Sequence, residues 1–504
     1  MYSEYVAEYP QTMSYVFANL ARYSSGLSVH EQEEVNRPFG DAMRYRYVAE
    51  NQPALRSEPF ITSLEDYRNR LFVQFAAYYE PGFGERRFID TWDKLAQDLR
   101  DHPNFGKHLD SGRRVGDEVE QAIAGLTTPH EKLVALYDHV RTAYTYDGRQ
   151  RLLMDDEIRD VIAAKTGSTA ELSLLLINML REAEITAFPV LISTRDHGAI
   201  LRQYPLTSQF NDVVVYASAG GRDYLLKPTN RYRPYDLLPA SNLNGMGFLV
   251  TNDSQEWIPM RLDKSFRSLT SVEATLSPDG TLTGTLTSTD GDYAAALRRG
   301  NYADADEPAT FVRDAYLGSL SGIDVTIDSV SVENEDALDE PFQISAHFQA
   351  PSMATVAGDF LYLQPTLVSE WTSNPLKTPV RTFPVDFDWG YNVVYSARIT
   401  LPEGYRLAES VASTSVRRLD GKVTYQRQVT EVGGAIQVQS RMILSETIFP
   451  PERYAELRGF FEEVASGEME PLVLTNAPLP VEEVNEAAAP DATEASSGET
   501  GEGR

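Results

Sequence analysis

No cysteine occurs in the 504 residues, which excludes thiol catalysis, disulfides and thiolate metal sites by count. Histidine is nearly as scarce. There are seven, none in an H-x-x-x-H or H-E-x-x-H arrangement, and His102 and His108 are separated by Pro103 and Gly106. Neither a metal site nor any other cofactor is expected. Lysine supplies only eight of the 45 basic residues, against 74 acidic ones, for a net charge of −29. Such a field repels nucleic acid and anionic lipid. An acid-rich, lysine-poor surface also suits a salt-rich habitat, where screening removes the self-repulsion. No apolar run approaches the ~18 residues of a membrane span. The start, Met1-Tyr2-Ser3-Glu4-Tyr5, lacks the basic and apolar regions of a signal peptide.

What is present points to a globular, β-rich chain of about three domains: 42% hydrophobic residues, 27 tyrosines and 21 phenylalanines. Residues 1–90 alternate strand-like runs with loops, with Met43, Tyr45 and Tyr47 on one face of a period-2 segment and Leu71–Phe75 as a second strand. From Thr91 the period becomes helical. Trp92, Leu95 and Leu99 share a face, Thr128 to Glu131 form a capping box, and Leu133, Leu136, Tyr137, Val140 and Tyr144 make a stripe with His139 just off it. From about Lys264 the pattern is β again. Pro278-Asp279-Gly280 and Gly433-Gly434 join alternating runs, and the spacing suggests sandwich-type packing. Tyr454, Leu457, Phe460, Phe461 and Val464 mark a terminal helix, beyond which the Ala/Glu/Pro/Ser/Gly composition predicts a disordered acidic tail over 475–504.

The stretch from Lys165 to Asn230 is the most informative. Ser168 and Glu171 form an S-x-x-E capping box, Thr169 is the first helical residue, and Leu172 to Ala183 is apolar on nearly every face. A buried helix whose N-terminus meets a cleft is a good place for a nucleophile, because its unpaired N–H groups and dipole stabilise an anion. Two strand-like runs follow, around Phe210-Asn211-Asp212 and Leu226-Lys227-Pro228-Thr229.

Gly167-Ser168-Thr169-Ala170-Glu171 with its Leu-rich helix, Ala187–Val190, Ser193–Asp196, Gln209-Phe210-Asn211, Tyr224-Leu225-Leu226 and Asn244-Gly245 together resemble the transglutaminase-like superfamily, which shares the papain-like fold. The likeness is greatest to a multi-domain type of bacterial envelopes, flanked by domains of unknown function, and it runs over about residues 2–474. It implies an α+β protein: a partial N-terminal β domain (1–90), a transglutaminase-like core (91–263) and a C-terminal β-sandwich-type domain with terminal helix (264–474). It also implies a periplasmic or envelope location, and a chain that begins in the middle of its first domain. Active members carry Gly-x-Cys on the helix, Asn-His on one strand and Asp-x-Thr on the next. This chain has Thr169, Asp212 and Lys227 at those three positions.

Each departure counts against catalysis. An internal threonine hydroxyl is a poor nucleophile without an adjacent base. Asp212 is a weaker base than imidazole at neutral pH, and Lys227 has no histidine to orient. An Asp212–Lys227 ion pair is the economical outcome, in a pseudoenzyme that binds or scaffolds a peptide, protein or glycan. Candidate binding residues are Ser168, Arg195 and the basic-aromatic group Arg231, Tyr232 and Arg233; a loop held by an Arg–Asp pair is the plainer reading of Arg195 to Gly198. The competing class is a hydrolase with Ser168 or Thr169 as nucleophile and a desolvated Lys227 as base. A protein with a filled cleft and no ligand is the third.

Overall fold

The computed structural model describes residues 2–477 except 21–28, 39, 52–53, 81, 88–90, 110–111, 252–254, 321 and 370. The acidic tail expected at the C-terminus lies outside the described residues from 478 on, and Leu472–Thr475 is a strand.

The first ninety residues build two three-stranded antiparallel sheets. One orders Ser3–Pro10, Gly40–Ala49 and Val29–Arg37, the other Met13–Leu20, Arg70–Glu80 and Gly84–Arg87. Alternation divides the first sheet chemically. Tyr9, Tyr45 and Tyr47 face the second sheet, where Tyr9 stacks on Tyr15 at 3.8 Å and Phe17 meets Tyr45 at 4.4 Å. The other face carries cross-strand ladders, Glu4–Arg46–Glu31 and Glu8–Arg44–Glu33, with contacts of 2.7–3.1 Å at the surface. Exposed pairs of this kind stabilise little, so the aromatic face carries the cohesion.

The next section is a helical layer on a five-stranded antiparallel sheet ordered Arg222–Leu226, Asp212–Ala219, Thr186–Ile192, Met246–Val250 and Gln255–Pro259. The helix Thr169–Glu182 lies at its centre, and every residue from Thr169 to Leu180 is buried. Helices Gly112–Ala122 and Pro129–Ala143 cover it on one side. On the other, Ala187, Leu191, Val213, Val215 and Ala217 project from the sheet. The residues between them, Val190, Ile192 and Val214, join Leu238, Leu249 and Met260 in a second apolar layer on the reverse face. At about 1.5–3 kcal/mol per fully buried large aliphatic side chain, the five leucines of this helix anchor the section. The helix stops in a Schellman arrangement, with Ile185 N–H donating to Leu180 O and Glu184 N–H to Arg181 O. Glu184 occupies the left-handed position at φ 62°.

The third section centres on one eight-stranded sheet: Thr326–Glu333, Phe342–Ala350, Leu282–Gly291, Ser265–Leu276, Gly390–Thr400, Ala435–Leu444, Val423–Val432 and Thr414–Arg418. Its middle pair is parallel and the rest antiparallel. Gly433 and Gly434, at φ 60° and 73°, make the two-residue hairpin read from the sequence. A smaller sheet supplies Leu361, Leu363, Leu472 and Leu474 to a core shared with Leu282, Leu286, Phe348 and Ile399. The helix Tyr454–Glu468 covers another part with Leu457, Phe460, Phe461 and Val464. The two-layer packing expected from the strand spacing is thus made by unequal layers. The section read as β-rich from about Lys264 also holds two helices, Asp292–Asp304 and Pro308–Tyr316. Arg298 and Arg299 lie on the buried side of the first, and Arg299 gives its guanidinium to the carbonyls of Asn334, Ala337 and Glu340, so the charges hide an inward face.

Candidate functional site

The N-terminus of the central helix is closed by its own chain. Thr166-Gly167 pairs in parallel with Thr145-Tyr146, which brings residues 147–156 across the first turn. Ser168 caps the helix, its Oγ accepting from Glu171 N–H at 3.4 Å while Glu171 Oε2 accepts from Ser168 N–H at 2.6 Å. Glu171 does more than cap. Its other oxygen accepts from the N–H groups of Asp155 and Asp156, both at 3.0 Å. Burial works against its charge, but the backbone N–H groups of Ser168, Asp156 and Asp155 hold the carboxyl below its usual range.

Thr169 is 4% exposed. Its Oγ1 accepts from Arg151 N–H at 2.9 Å and donates to Arg151 O at 3.0 Å, and its N–H donates to Arg149 O at 3.1 Å. Both the hydroxyl proton and the amide that would serve an anion are therefore taken by backbone. Gln150 extends the closure, donating its amide to Thr194 Oγ1 at 3.2 Å on the sheet side. Asn211 locks that side by giving and taking hydrogen bonds with Thr194.

Asp212 and Lys227 pair with each other. Asp212 opens one strand and Lys227 follows the end of its neighbour, and both are 2% exposed. Lys227 Nζ donates to Asp212 Oδ1 at 2.6 Å and to Val213 O at 2.7 Å. Asp212 also accepts from its neighbour Val213 N–H and from Asn242 Nδ2. Ser173, one turn into the helix, donates to the same Val213 carbonyl at 2.9 Å. Burial pushes the lysine pKa down and the Asp212 charge pulls it back up; burial prevails.

The candidate binding residues divide. Ser168 is fully buried in its capping role. Arg195 is 9% exposed and donates to Asp386 Oδ1 at 2.8 Å and Asp386 O at 2.9 Å, with Asp388 at 3.4 Å. This corrects the expectation of a ligand-facing Ser168 and Arg195, because desolvated side chains with all-protein partners offer nothing to a solute. The carboxylate holding the loop is also 191 residues away. Arg231 is exposed, and Tyr232 and Arg233 are half-buried; Arg231 O accepts from Arg141 at 2.6 Å, and Tyr232 N–H donates to Asn230 Oδ1 at 2.8 Å in an Asx turn. They do not converge on Thr169 through any hydrogen bond or ion pair among the described residues. His139, read as packing, bonds Glu118 at 2.7 Å, and Glu118 also accepts from Tyr144 and Lys165. Asn242, Ser173 and Gln150 were not singled out in the sequence, where only the capping-box position of Glu171 carried a signal.

Residues 117–219 match the profile of the transglutaminase-like superfamily, and residues 359–474 match that of a domain of unknown function with a solved structure, DUF3858. Among solved structures, a candidate protease of Parabacteroides distasonis is 13% identical, with a TM-score of 0.54 over 94% of this chain and 72% of that one. A candidate cysteine protease of Cytophaga hutchinsonii is 12% identical, with a TM-score of 0.21 over 50% of this chain and 75% of that one. The first shows a likeness of fold, and the second carries no argument. No curated protein matches the chain. The capped, buried helix on its antiparallel sheet and the sequence match over it agree: this chain contains a transglutaminase-like core, followed by a DUF3858 domain.

Proposed function

We propose that the transglutaminase-like core is catalytically silent and that the protein acts as a binding or scaffolding module of the cell envelope, taking a peptide, protein or glycan partner. One observation carries the loss of catalysis. The Thr169 hydroxyl, at the nucleophile position, exchanges two hydrogen bonds with the backbone of Arg151, and its own amide is spent on Arg149 O. A nucleophile needs a base to take its proton and an open anion site beside it. Here a carbonyl holds the proton and the strap of residues 147–156 fills the anion site. Asp212 and Lys227 neutralise each other and support the same reading.

The hydrolase reading has one observation in its favour, the depressed pKa of Lys227, which a lysine base requires. Against it, the hydrogen bonds of Lys227 go to Asp212 and Val213, and neither Ser168 nor Thr169 is among them. Amide hydrolysis and amine exchange on a panel of glutamine and peptide substrates, with fluorophosphonate labelling alongside, separate the two. The proposal expects no turnover or labelling above that of Thr169→Ala. Turnover or labelling abolished by Thr169→Ala or Lys227→Ala would defeat it.

A further inference from the structure

A second site lies in the third section, where the eight-stranded sheet forms the floor of a cavity of about 300 Å³. Ser268, Thr270, Tyr395, Ser440 and Met442 rise from the floor; Tyr316, Trp371 and Glu468 line it as well. It opens past Asp314, Gly318 and Ser369, of which the first two are exposed. The volume suits a molecule of amino-acid size, and the lining mixes aromatic rings with hydroxyls, as ligand cavities do.

The charges facing it do not cancel. Glu468 is 5% exposed, with Oε1 held by the Tyr425 hydroxyl at 2.9 Å and Oε2 buried with no hydrogen bond among the described residues. Burial pushes its carboxyl up, offset in part by the hydroxyls of Tyr425 and Ser440, by Arg427 and by the hydroxyl of Thr366. Arg427 gives its Nη1 to Glu470 at 2.7 Å, so it is not a dedicated counter-ion. The cation of the cavity, Arg298, sits over the Tyr316 ring at 4.5 Å and acts on the fully buried Asp290. Its charge is balanced within the protein. Glu468, by contrast, has hydroxyl neighbours but no ion-pair partner within 4 Å among the described residues. Trp371 Nε1 is also buried with no acceptor among the described residues.

We propose that this cavity binds a small organic cation, a primary ammonium on a short apolar stem, with Glu468 as its counter-ion and Trp371, Tyr316 and Tyr395 around the stem. A desolvated carboxylate gains most from a donor that also carries the opposite charge, and aromatic faces favour both the ammonium and its methylenes. The site stands whether or not the transglutaminase-like core is silent. Calorimetric titration of the full chain with phenethylamine, 2-phenylethanol and 3-phenylpropanoate isolates the charge at nearly constant shape. The amine is expected to bind at least about tenfold more tightly than the alcohol, and the acid not at all. Glu468→Gln should remove that preference while leaving the alcohol unchanged, and Ala315→Trp, which fills the lining beside the mouth, should remove both. If Glu468→Gln does not fold, the amine-over-alcohol ratio and its loss in Ala315→Trp decide. Equal affinity for amine and alcohol, no binding of the amine, or an amine affinity unmoved in folded Glu468→Gln overturns the proposal.

Discussion

Lys227 and Asp212 form an ion pair of 2.6 Å with side chains 2% and 3% exposed, one of the most enclosed charge pairs of the chain. Removing one partner leaves the other charge buried. Lys227→Met or Asp212→Ala is expected to cost about 3–5 kcal/mol, while replacing both with apolar residues should fall within about 1 kcal/mol of the parent. Urea denaturation of the two single variants and the double variant checks the non-additivity. Additive losses would show that the two charges do not depend on each other.

Thr169 holds the strap over the helix. Thr169→Val keeps the shape and removes two hydrogen bonds, so it should cost about 1–2 kcal/mol. Hydrogen exchange gives a local readout. The Arg151 amide, which donates to Thr169 Oγ1, should lose protection in Thr169→Val and keep it in Thr169→Ser.

Glu184 ends the central helix in the left-handed region, where a side chain costs about 1–2 kcal/mol and glycine does not. Glu184→Gly should therefore raise stability by about 0.5–1 kcal/mol after the entropy of the unfolded chain is allowed for. A rise in melting temperature is the measurement.

Alkaline pH should destabilise the fold. Burial raises the pKa of Tyr137, Tyr144, Tyr293, Tyr395 and Tyr425, and Tyr47 and Tyr216 are pushed up to about 12. The folded chain favours neutral tyrosine, so this contribution is complete below the unfolded value near 10 and is lost as pH rises towards the folded values. Lys227 acts with the opposite sign. Its pKa is depressed, so its charging penalty is relieved as pH rises towards the ordinary lysine value. The many tyrosines outweigh the one lysine. Denaturation midpoints should fall between about pH 10 and 12, in step with tyrosinate absorbance.

Low salt is a further lever. With a net charge of −29, self-repulsion should lower the melting temperature in dilute buffer, and molar KCl or NaCl should restore it. A salt-independent melting curve would dispose of the salt-rich habitat inferred from composition.

Local chemistry was the legible part of the sequence. The Ser168–Glu171 capping box, the Gly433-Gly434 hairpin and the stripe from Leu133 to Tyr144 are set by residues within a few positions of one another. The position of Asp212 beside Lys227 is within reach of the same reasoning, since they sit on adjacent strands fifteen residues apart. What escaped depends on distant partners. Arg298 and Arg299 look solvated until their positions between helix and sheet are known, so their burial has no local sign in the sequence. The Arg195–Asp386 contact has no local sign at all, because periodicity says nothing about a partner in another section.

That same contact limits how separable the sections are. Arg195 belongs to the transglutaminase-like match and Asp386 to the DUF3858 match, and both are largely shielded from water. A genetic cut that removed the second segment would leave the Arg195 guanidinium without the Asp386 carboxylate. The two segments are therefore best regarded as one heritable unit: a relative that kept only the first would have to lose the arginine or find it another anion.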